Sequence, residues 1–83
     1  VKHDDPKQLG KIGIYLNPIQ SRVNRGNAKS DLNDHKGAID DYNEAIRLDP
    51  NYARAFFNRG YVKRAMNDTN GAIDDYSEAI RLN

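Results

Sequence analysis

The 83-residue chain contains no cysteine and no tryptophan, and it has a single methionine. Without cysteine it can form neither a disulfide nor a zinc–thiolate site, and it offers no thiol nucleophile. This composition is consistent with a reducing compartment. The cytoplasm is therefore the compartment we favour, and the sequence carries no further signal on localisation.

The chain also lacks long apolar runs and a strong excess of charge of one sign. Its apolar stretches are a few residues long, far short of the roughly 20 residues that span a bilayer. Residues 1–10 show no apolar core of a signal peptide. Thirteen basic and twelve acidic residues give a formal net charge of +1, too small to attract nucleic acid or an anionic membrane. We expect neither nucleic acid nor membrane as a partner.

Residues that carry chemistry are sparse. His3 and His35 are the only histidines, and neither has a second ligand at a suitable spacing, so we expect no metal and no cofactor. The acidic pairs at 40–41 and 74–75 are adjacent in sequence, hence about 100° apart on a helix, and would not converge on one substrate atom. No serine has a histidine base placed beside it. The sequence predicts a protein that is not an enzyme.

What the chain does contain is an internal repeat with a period of 34 residues. When residues 19–49 are aligned with residues 53–83, 17 of the 31 pairs are identical. The longest match pairs residues 37–42 with residues 71–76. A fixed period of this length indicates an array of stacked units, each of which buries its apolar face against a neighbour.

Each unit is predicted to contain two helices joined by a short turn. Asn33 and Asn67 suit the left-handed residue that ends a helix, and Asp34 and Asp68 can cap the helix that follows. The second helix of repeat two has an apolar stripe with helical spacing. This stripe consists of Ala72, Ile73, Tyr76, Ala79 and Ile80.

The first helix of repeat two is predicted to run from about Asn51 to Met66. Asp49 is expected to cap it, with Pro50 at the first helical position. Small residues in both helices are expected to let the backbones approach closely, with a tyrosine of the second helix beside them.

Both copies contain Gly-Ala-Ile-Asp-Asp-Tyr followed by Glu-Ala-Ile-Arg-Leu, and Asn-Arg-Gly recurs in the first helix. On these residues the chain resembles the tetratricopeptide repeat family over residues 19–83. The resemblance implies an all-α fold of stacked antiparallel helix pairs in a right-handed α-solenoid. Residues 19–52 would form repeat one and residues 53–83 repeat two, with a truncated end. Residues 1–18 would form an N-terminal segment that is either irregular or a degenerate helix.

Basic residues replace two positions of the family pattern in both repeats. Arg59 stands where the family prefers leucine and Lys63 where it prefers tyrosine, and Arg25 and Lys29 do the same in repeat one. Long basic stems can cover apolar surface while their charged ends reach water or an aspartate of the facing helix. We therefore expect a structural role for the arginines.

The resemblance also implies that the first helix of each pair lines a concave face that binds a partner. Asparagine can bond an extended backbone, and aromatic side chains can anchor a ligand. We expect a non-enzymatic scaffold that binds a peptide or partner protein. The predicted contacts are Asn24, Asn27, Arg54, Phe57, Asn58, Tyr61 and Arg64.

Two alternatives remain open. Phe57 and Tyr61 would also be explained if they complete the core or pack against a further repeat. Two repeats are fewer than the roughly three that usually give independent stability, so the end faces could instead self-associate into a homo-oligomer that covers Ile73, Ile80 and Leu82. A carboxylate clamp, known in some members of the family, is not expected because Val23 takes the place of its first lysine.

Overall fold

The computed structural model describes the backbone of residues 6–83 and the side chains of residues 18–83. Within residues 6–83 there are four helices and no strand. The helices are α1 (Pro6–Asp31), α2 (His35–Leu48), α3 (Ala53–Ala65) and α4 (Thr69–Leu82). Helix α1 packs on α2 and α3 packs on α4, while contacts of α3 with α2 and α1 join the two pairs. The predicted all-α fold of stacked helix pairs is confirmed.

The turns within the two helix pairs have the same construction. Asn33 and Asn67 have φ angles of 65° and 67°, which is the left-handed conformation expected of them. The N–H of Asp68 bonds to the carbonyl of Lys63 at 2.8 Å, which closes the end of α3 in the manner of a Schellman motif. The Asp68 carboxylate then accepts a hydrogen bond from the N–H of Gly71 at 3.0 Å and caps α4. Both the stop and the cap are confirmed.

The prediction for the start of α3 was wrong. This helix begins at Ala53 with Tyr52 as its N-cap, and it ends at Ala65. Asp49 instead ends α2, and its carboxylate accepts a hydrogen bond from the N–H of Asn51 at 3.0 Å. The carboxylate is therefore engaged in a local turn that contains Pro50, and it cannot cap α3.

Helix α1 is much longer than the first helix of a 34-residue unit. It begins at Pro6 and continues through Pro18, so the backbone is helical on both sides of the position at which we divide the chain. The division into residues 1–18, 19–52 and 53–83 stays a prediction. The packing of the N-terminal segment lies outside the described side chains, and residues 1–5 lie outside the described backbone.

The core lies between α1, α2 and α3. The ring of Tyr42 is its largest fully buried side chain, with 1% of the residue exposed. A Cβ atom at Gly26 would lie 2.6 Å from Cε1 of this ring, so the absence of a side chain there lets α1 and α2 approach closely, as predicted. The buried core residues are Ile19, Val23, Ala38, Tyr42, Ala45, Ala55 and Val62.

The apolar stripe of the second helix is covered in repeat one and partly open in repeat two. Ile39 and Ile46 of α2 pack against the core. The residues 34 positions later, Ile73 and Ile80, are 55% and 75% exposed. Helix α3 lies against repeat one, and no described element lies against the same side of repeat two. The two repeats therefore differ in environment although their sequences are alike.

Candidate functional site

Four of the predicted contacts lie together in a small groove between α1 and α3, here called the inner groove. They are Asn27, Phe57, Asn58 and Tyr61. The groove has a volume of about 170 Å³. Its other lining residues are Ser30, Asp31 and Tyr42.

Asn27 is the centre of a hydrogen-bond network in the inner groove. Its side-chain oxygen accepts from the Tyr42 hydroxyl at 2.6 Å and from the side-chain amide of Asn58 at 3.1 Å. Both bonds cross between helices, because Tyr42 lies on α2 and Asn58 on α3. Among the described residues, the Asn27 amide nitrogen and the Asn58 amide oxygen have no hydrogen-bond partner. The pair therefore presents one donor and one acceptor.

The environment of Tyr42 keeps its hydroxyl protonated. Burial, together with the smaller effect of the negative charges of Asp31 and Asp41, raises the pKa of Tyr42 to about 12. The phenol is therefore a stable hydrogen-bond donor at neutral pH. This donor holds the Asn27 amide in one orientation, with its oxygen bonded to Tyr42 and Asn58 and its nitrogen without a partner among the described residues.

A larger open cavity lies on the α3–α4 pair and is here called the outer groove. Its volume is about 850 Å³. The ring of Phe57 packs against that of Tyr76 with their centroids 5.3 Å apart, and both rings line the groove. The lining residues are Ala53, Arg54, Phe57, Tyr61, Arg64, Tyr76, Ala79, Ile80 and Asn83.

The predicted contacts thus divide between two surfaces. Phe57 and Tyr61 border both grooves, whereas Arg54 and Arg64 line only the outer one. Asn24 is exposed on α1 and lines neither groove. The seven residues do not form a single cavity.

Two of the three arginines on α3, Arg54 and Arg64, are exposed, and no ion pair is recorded for either among the described side chains. Arg54 and Arg64 are ten positions apart, which corresponds to about 15 Å along the helix axis. Phe57 and Tyr61 lie between them in sequence and are 53% and 57% exposed. Helix α3 therefore presents an aromatic surface with a cation towards each end.

Four further basic residues of α1 and α3 have a structural role, as predicted for the two arginines among them. Arg59 donates to the carboxylate of Asp75, and the ammonium group of Lys63 lies 3.1 Å from the same carboxylate. Arg25 and Lys29 form the matching cluster with Asp41 in repeat one. The two aspartates are almost fully buried, with 3% and 5% of their side chains exposed.

These clusters keep the aspartates ionised. The hydrogen bonds from Arg25 lower the pKa of Asp41 from its ordinary value, against the opposing effect of burial. For Asp75 burial is the largest single influence and would raise the pKa, but the hydrogen bonds from Arg59 and Lys63 together outweigh it and lower the pKa. These carboxylates therefore have a structural role between the helices of each pair.

Side chains suited to metal binding do not cluster in the described part of the chain. Residues 18–83 contain no group of three or more histidine, aspartate or glutamate side chains that could hold an ion. No helix in the described range is long and apolar enough to cross a membrane.

Comparison with known families identifies the repeat. A profile described as a TPR repeat matches residues 26–63, and one described as Tetratricopeptide repeat matches residues 53–83. The chain belongs to the tetratricopeptide repeat family. No curated protein matches it. Tetratricopeptide repeats are generally protein–protein interaction modules, and the family is typically a non-enzymatic scaffold.

Two features of this tetratricopeptide pair were missed by sequence reasoning. The first is the bond between the Tyr42 hydroxyl and Asn27, which joins residues 15 positions apart. The second is the contact of Phe57 with Tyr76, which shapes the outer groove. Neither contact is local in the sequence, because its two residues lie on different helices.

Proposed function

We propose that this chain is a protein-interaction module that binds an extended segment of another protein along α3, with the inner groove as its centre. The observation that carries the proposal is the Asn27–Asn58 pair. Its free donor and free acceptor match the carbonyl and N–H groups that an extended backbone presents. The Tyr42 bond fixes the pair before a ligand arrives, which lowers the entropy cost of binding.

Exposed aromatic side chains support the same proposal. Phe57 and Tyr61 are about half exposed beside the amide pair. Aromatic residues next to buried polar groups commonly supply much of the affinity of an interface. An apolar side chain of the ligand would pack between these two rings.

The charges of α3 indicate the composition of the ligand. Arg54 and Arg64 are about 15 Å apart along the helix. An extended chain covers this distance in about five residues, at roughly 3.3 Å for each. Because alternate side chains of an extended chain point to opposite faces, we infer a ligand that carries two acidic side chains four or six positions apart, with an apolar residue between them.

Selection from a random peptide library on the 83-residue chain tests this function. We expect the enriched peptides to share the acidic and apolar spacing. Each is then measured against Asn58→Leu and against the double variant Arg54→Glu with Tyr61→Ala, both of which should weaken binding at least about tenfold. Lys36→Glu is the matched control, because this exposed lysine on α2 lies outside both grooves.

Three results of these binding measurements would contradict the proposal. Peptides that bind all variants with one affinity would rule out α3 as the binding surface. Failure to enrich any peptide would rule out recognition of an extended segment. If Lys36→Glu weakened peptide binding as much as the α3 variants do, the change in net charge alone would explain the loss of affinity.

A second function is favoured by a separate observation. Ile80 is 75% exposed at the edge of the outer groove, although its counterpart Ile46 packs against the core. Self-association through the end faces of the array would cover such a residue.

A further inference from the structure

The outer groove is the repeat-two copy of a surface that is covered in repeat one. Val23 is 1% exposed, whereas Phe57, 34 positions later, is 53% exposed. Ile46 packs against the core, whereas Ile80 is 75% exposed. The same surface is therefore covered by another helix in repeat one and exposed in repeat two.

In repeat one the occupant is α3. It inserts Ala55 and Val62, which are seven positions apart and almost fully buried in the core. Polar contacts flank this apolar seam. Asn58 donates to the Asn27 side chain at 3.1 Å, and Arg59 donates to the Asn43 side chain at 2.8 Å.

Helix α1 carries the same pattern 34 positions earlier. Ser21 and Ala28 occupy the places of Ala55 and Val62 and are both exposed. Asn24 and Arg25 occupy the places of Asn58 and Arg59. This outer face of α1, consisting of Ser21, Asn24, Arg25 and Ala28, is here called the α1 face.

Arg25 on the α1 face is more exposed than its counterpart Arg59. Its side chain is 56% exposed, whereas that of Arg59 is 18% exposed. Both arginines hold the aspartate of their own repeat. Arg59 in addition reaches Asn43 of the preceding repeat, and no corresponding bond of Arg25 is recorded among the described residues.

The geometry points to head-to-tail association of this chain with itself, in which the α1 face of one copy docks in the outer groove of the next. Ser21 and Ala28 of the docked copy take the positions that Ala55 and Val62 hold over repeat one. Arg25 of the docked copy meets Ser77, which stands 34 positions after Asn43. The contact repeats an interface that the molecule already contains.

The charges at the junction are compatible with this docking. Ser30 lines the inner groove together with Asn58 and Tyr61. In the proposed junction Arg64 takes the place of Ser30, and Asn24 and Asn27 of the docked copy take the places of Asn58 and Tyr61. Arg64 would therefore lie beside these two amides, which can accept hydrogen bonds from a guanidinium group. The net charge of +1 gives little repulsion between copies.

Two consequences follow from this geometry. The surfaces that meet are different, so a dimer still has one unused surface at each end, and the association continues past the dimer into a ring or an open chain of copies. Each junction also places α1 of one copy beside α3 of the next, which builds a further groove like the inner groove.

Sedimentation equilibrium of the 83-residue chain tests the proposal, over protein concentrations from about 10 µM to about 1 mM, where small interfaces associate. We expect the average mass to rise from 9.4 kDa and to pass the mass of a dimer without a plateau. Ala28→Arg disables the α1 face and Ile80→Arg disables the outer groove. Each variant alone should associate at least about tenfold more weakly, because the junction would have to bury an unpaired charge.

Mixing the two variants is the decisive experiment. One of them retains an intact groove and the other an intact α1 face, so an equimolar mixture should form a dimer and stop there. Leu32→Arg is the matched control, since Leu32 is 80% exposed in the turn after α1 and lines neither groove. It should associate like the unmodified chain.

Several results would overturn the proposal. They are a monomer at every concentration, a plateau at the dimer for the unmodified chain, a monomeric mixture of the two variants, and equal weakening by Leu32→Arg. Circular dichroism shows whether each variant is folded. If Ala28→Arg or Ile80→Arg unfolds the chain, Ser21→Arg or Arg54→Glu replaces it, and the same outcomes apply.

Discussion

Arg59 donates two hydrogen bonds to the carboxylate of Asp75 across the α3–α4 crossing, one from Nε at 2.8 Å and one from Nη2 at 2.7 Å. Arg25 and Asp41 repeat the arrangement 34 positions earlier, at 3.0 and 2.6 Å. The tetratricopeptide pattern prefers an apolar residue where these arginines stand. An ion cluster thus replaces part of the apolar contact between the helices of each pair, and the aliphatic stem of arginine supplies the remainder.

Asp75→Asn should destabilise the chain by about 2 kcal/mol, because it leaves two cations partly buried without a counterion. Urea unfolding measures the change. Asp74→Asn is the matched control, since Asp74 is the exposed neighbour of Asp75 in α4 and its loss should change stability little. Equal effects of the two substitutions would mean that the cluster contributes nothing beyond charge.

Stability should fall in acid, because the pKa values of Asp41 and Asp75 are lowered in the folded state. Carboxylates with a lowered pKa stabilise the fold fully above their unfolded value, about 3.9, and lose that contribution as the pH falls through the folded value. Urea midpoints measured from neutral pH down to strong acid should show this loss. The double variant Asp41→Asn with Asp75→Asn should give a flatter profile, and an unchanged slope would contradict the assignment.

Tyr42→Phe should cost about 1 kcal/mol, because it removes the hydrogen bond to Asn27 and leaves a buried acceptor with one partner fewer. Tyr76→Phe is the control, since no hydrogen bond of the Tyr76 hydroxyl is recorded among the described residues. Thermal unfolding distinguishes the two variants. A larger loss for Tyr76→Phe would show that the network does not hold α1 on α2.

The raised pKa of Tyr42, about 12, predicts a change in alkaline solution. The contribution of this phenol to stability is complete below the unfolded value of about 10 and disappears as the pH rises through about 12. Ultraviolet titration of the unmodified chain should show a late-ionising tyrosine that Tyr42→Phe removes. If the late step survives in Tyr42→Phe, it belongs to another tyrosine.

Gly26→Ala should be more harmful than Gly60→Ala. A Cβ at Gly26 would lie 2.6 Å from the buried ring of Tyr42, whereas one at Gly60 would lie 3.1 Å from its nearest neighbours. Overpacking costs about 1 to 3 kcal/mol, against a gain of about 1 kcal/mol from the better helix former. We expect net destabilisation at Gly26 and a change close to zero at Gly60, measured by urea unfolding. The reverse order would contradict the helix approach described for repeat one.

Local signals in the sequence were sufficient for much of the fold. The left-handed asparagines and the capping aspartates depend on neighbouring residues only, so Asn67 and Asp68 could be assigned from their position between two periodic segments. The start of α3 could not be assigned in this way, because the carboxylate of Asp49 could either cap α3 or accept a hydrogen bond within a local turn. Only the path of the chain into Tyr52 decides between them.

The candidate site was harder to predict than the fold, because it depends on contacts between helices. The position of Asn58 on α3 followed from the repeat register, but its bond to Asn27 depends on how closely α1 and α3 approach. The different exposure of Ile46 and Ile80 has no local cause at all, since their sequence neighbourhoods are nearly identical. The difference arises because α3 lies against repeat one, whereas no described element lies against the same side of repeat two.

Nuclear magnetic resonance of the side-chain amides tests the central claim most directly. A peptide selected on the chain is titrated into isotopically labelled protein, and the amide signals of all asparagines are followed. We predict the largest shifts at Asn58 and Asn27, with little change at Asn70, which is exposed on α4 and lines neither groove. Shifts centred on Asn70, with Asn27 and Asn58 unmoved, would contradict binding along α3.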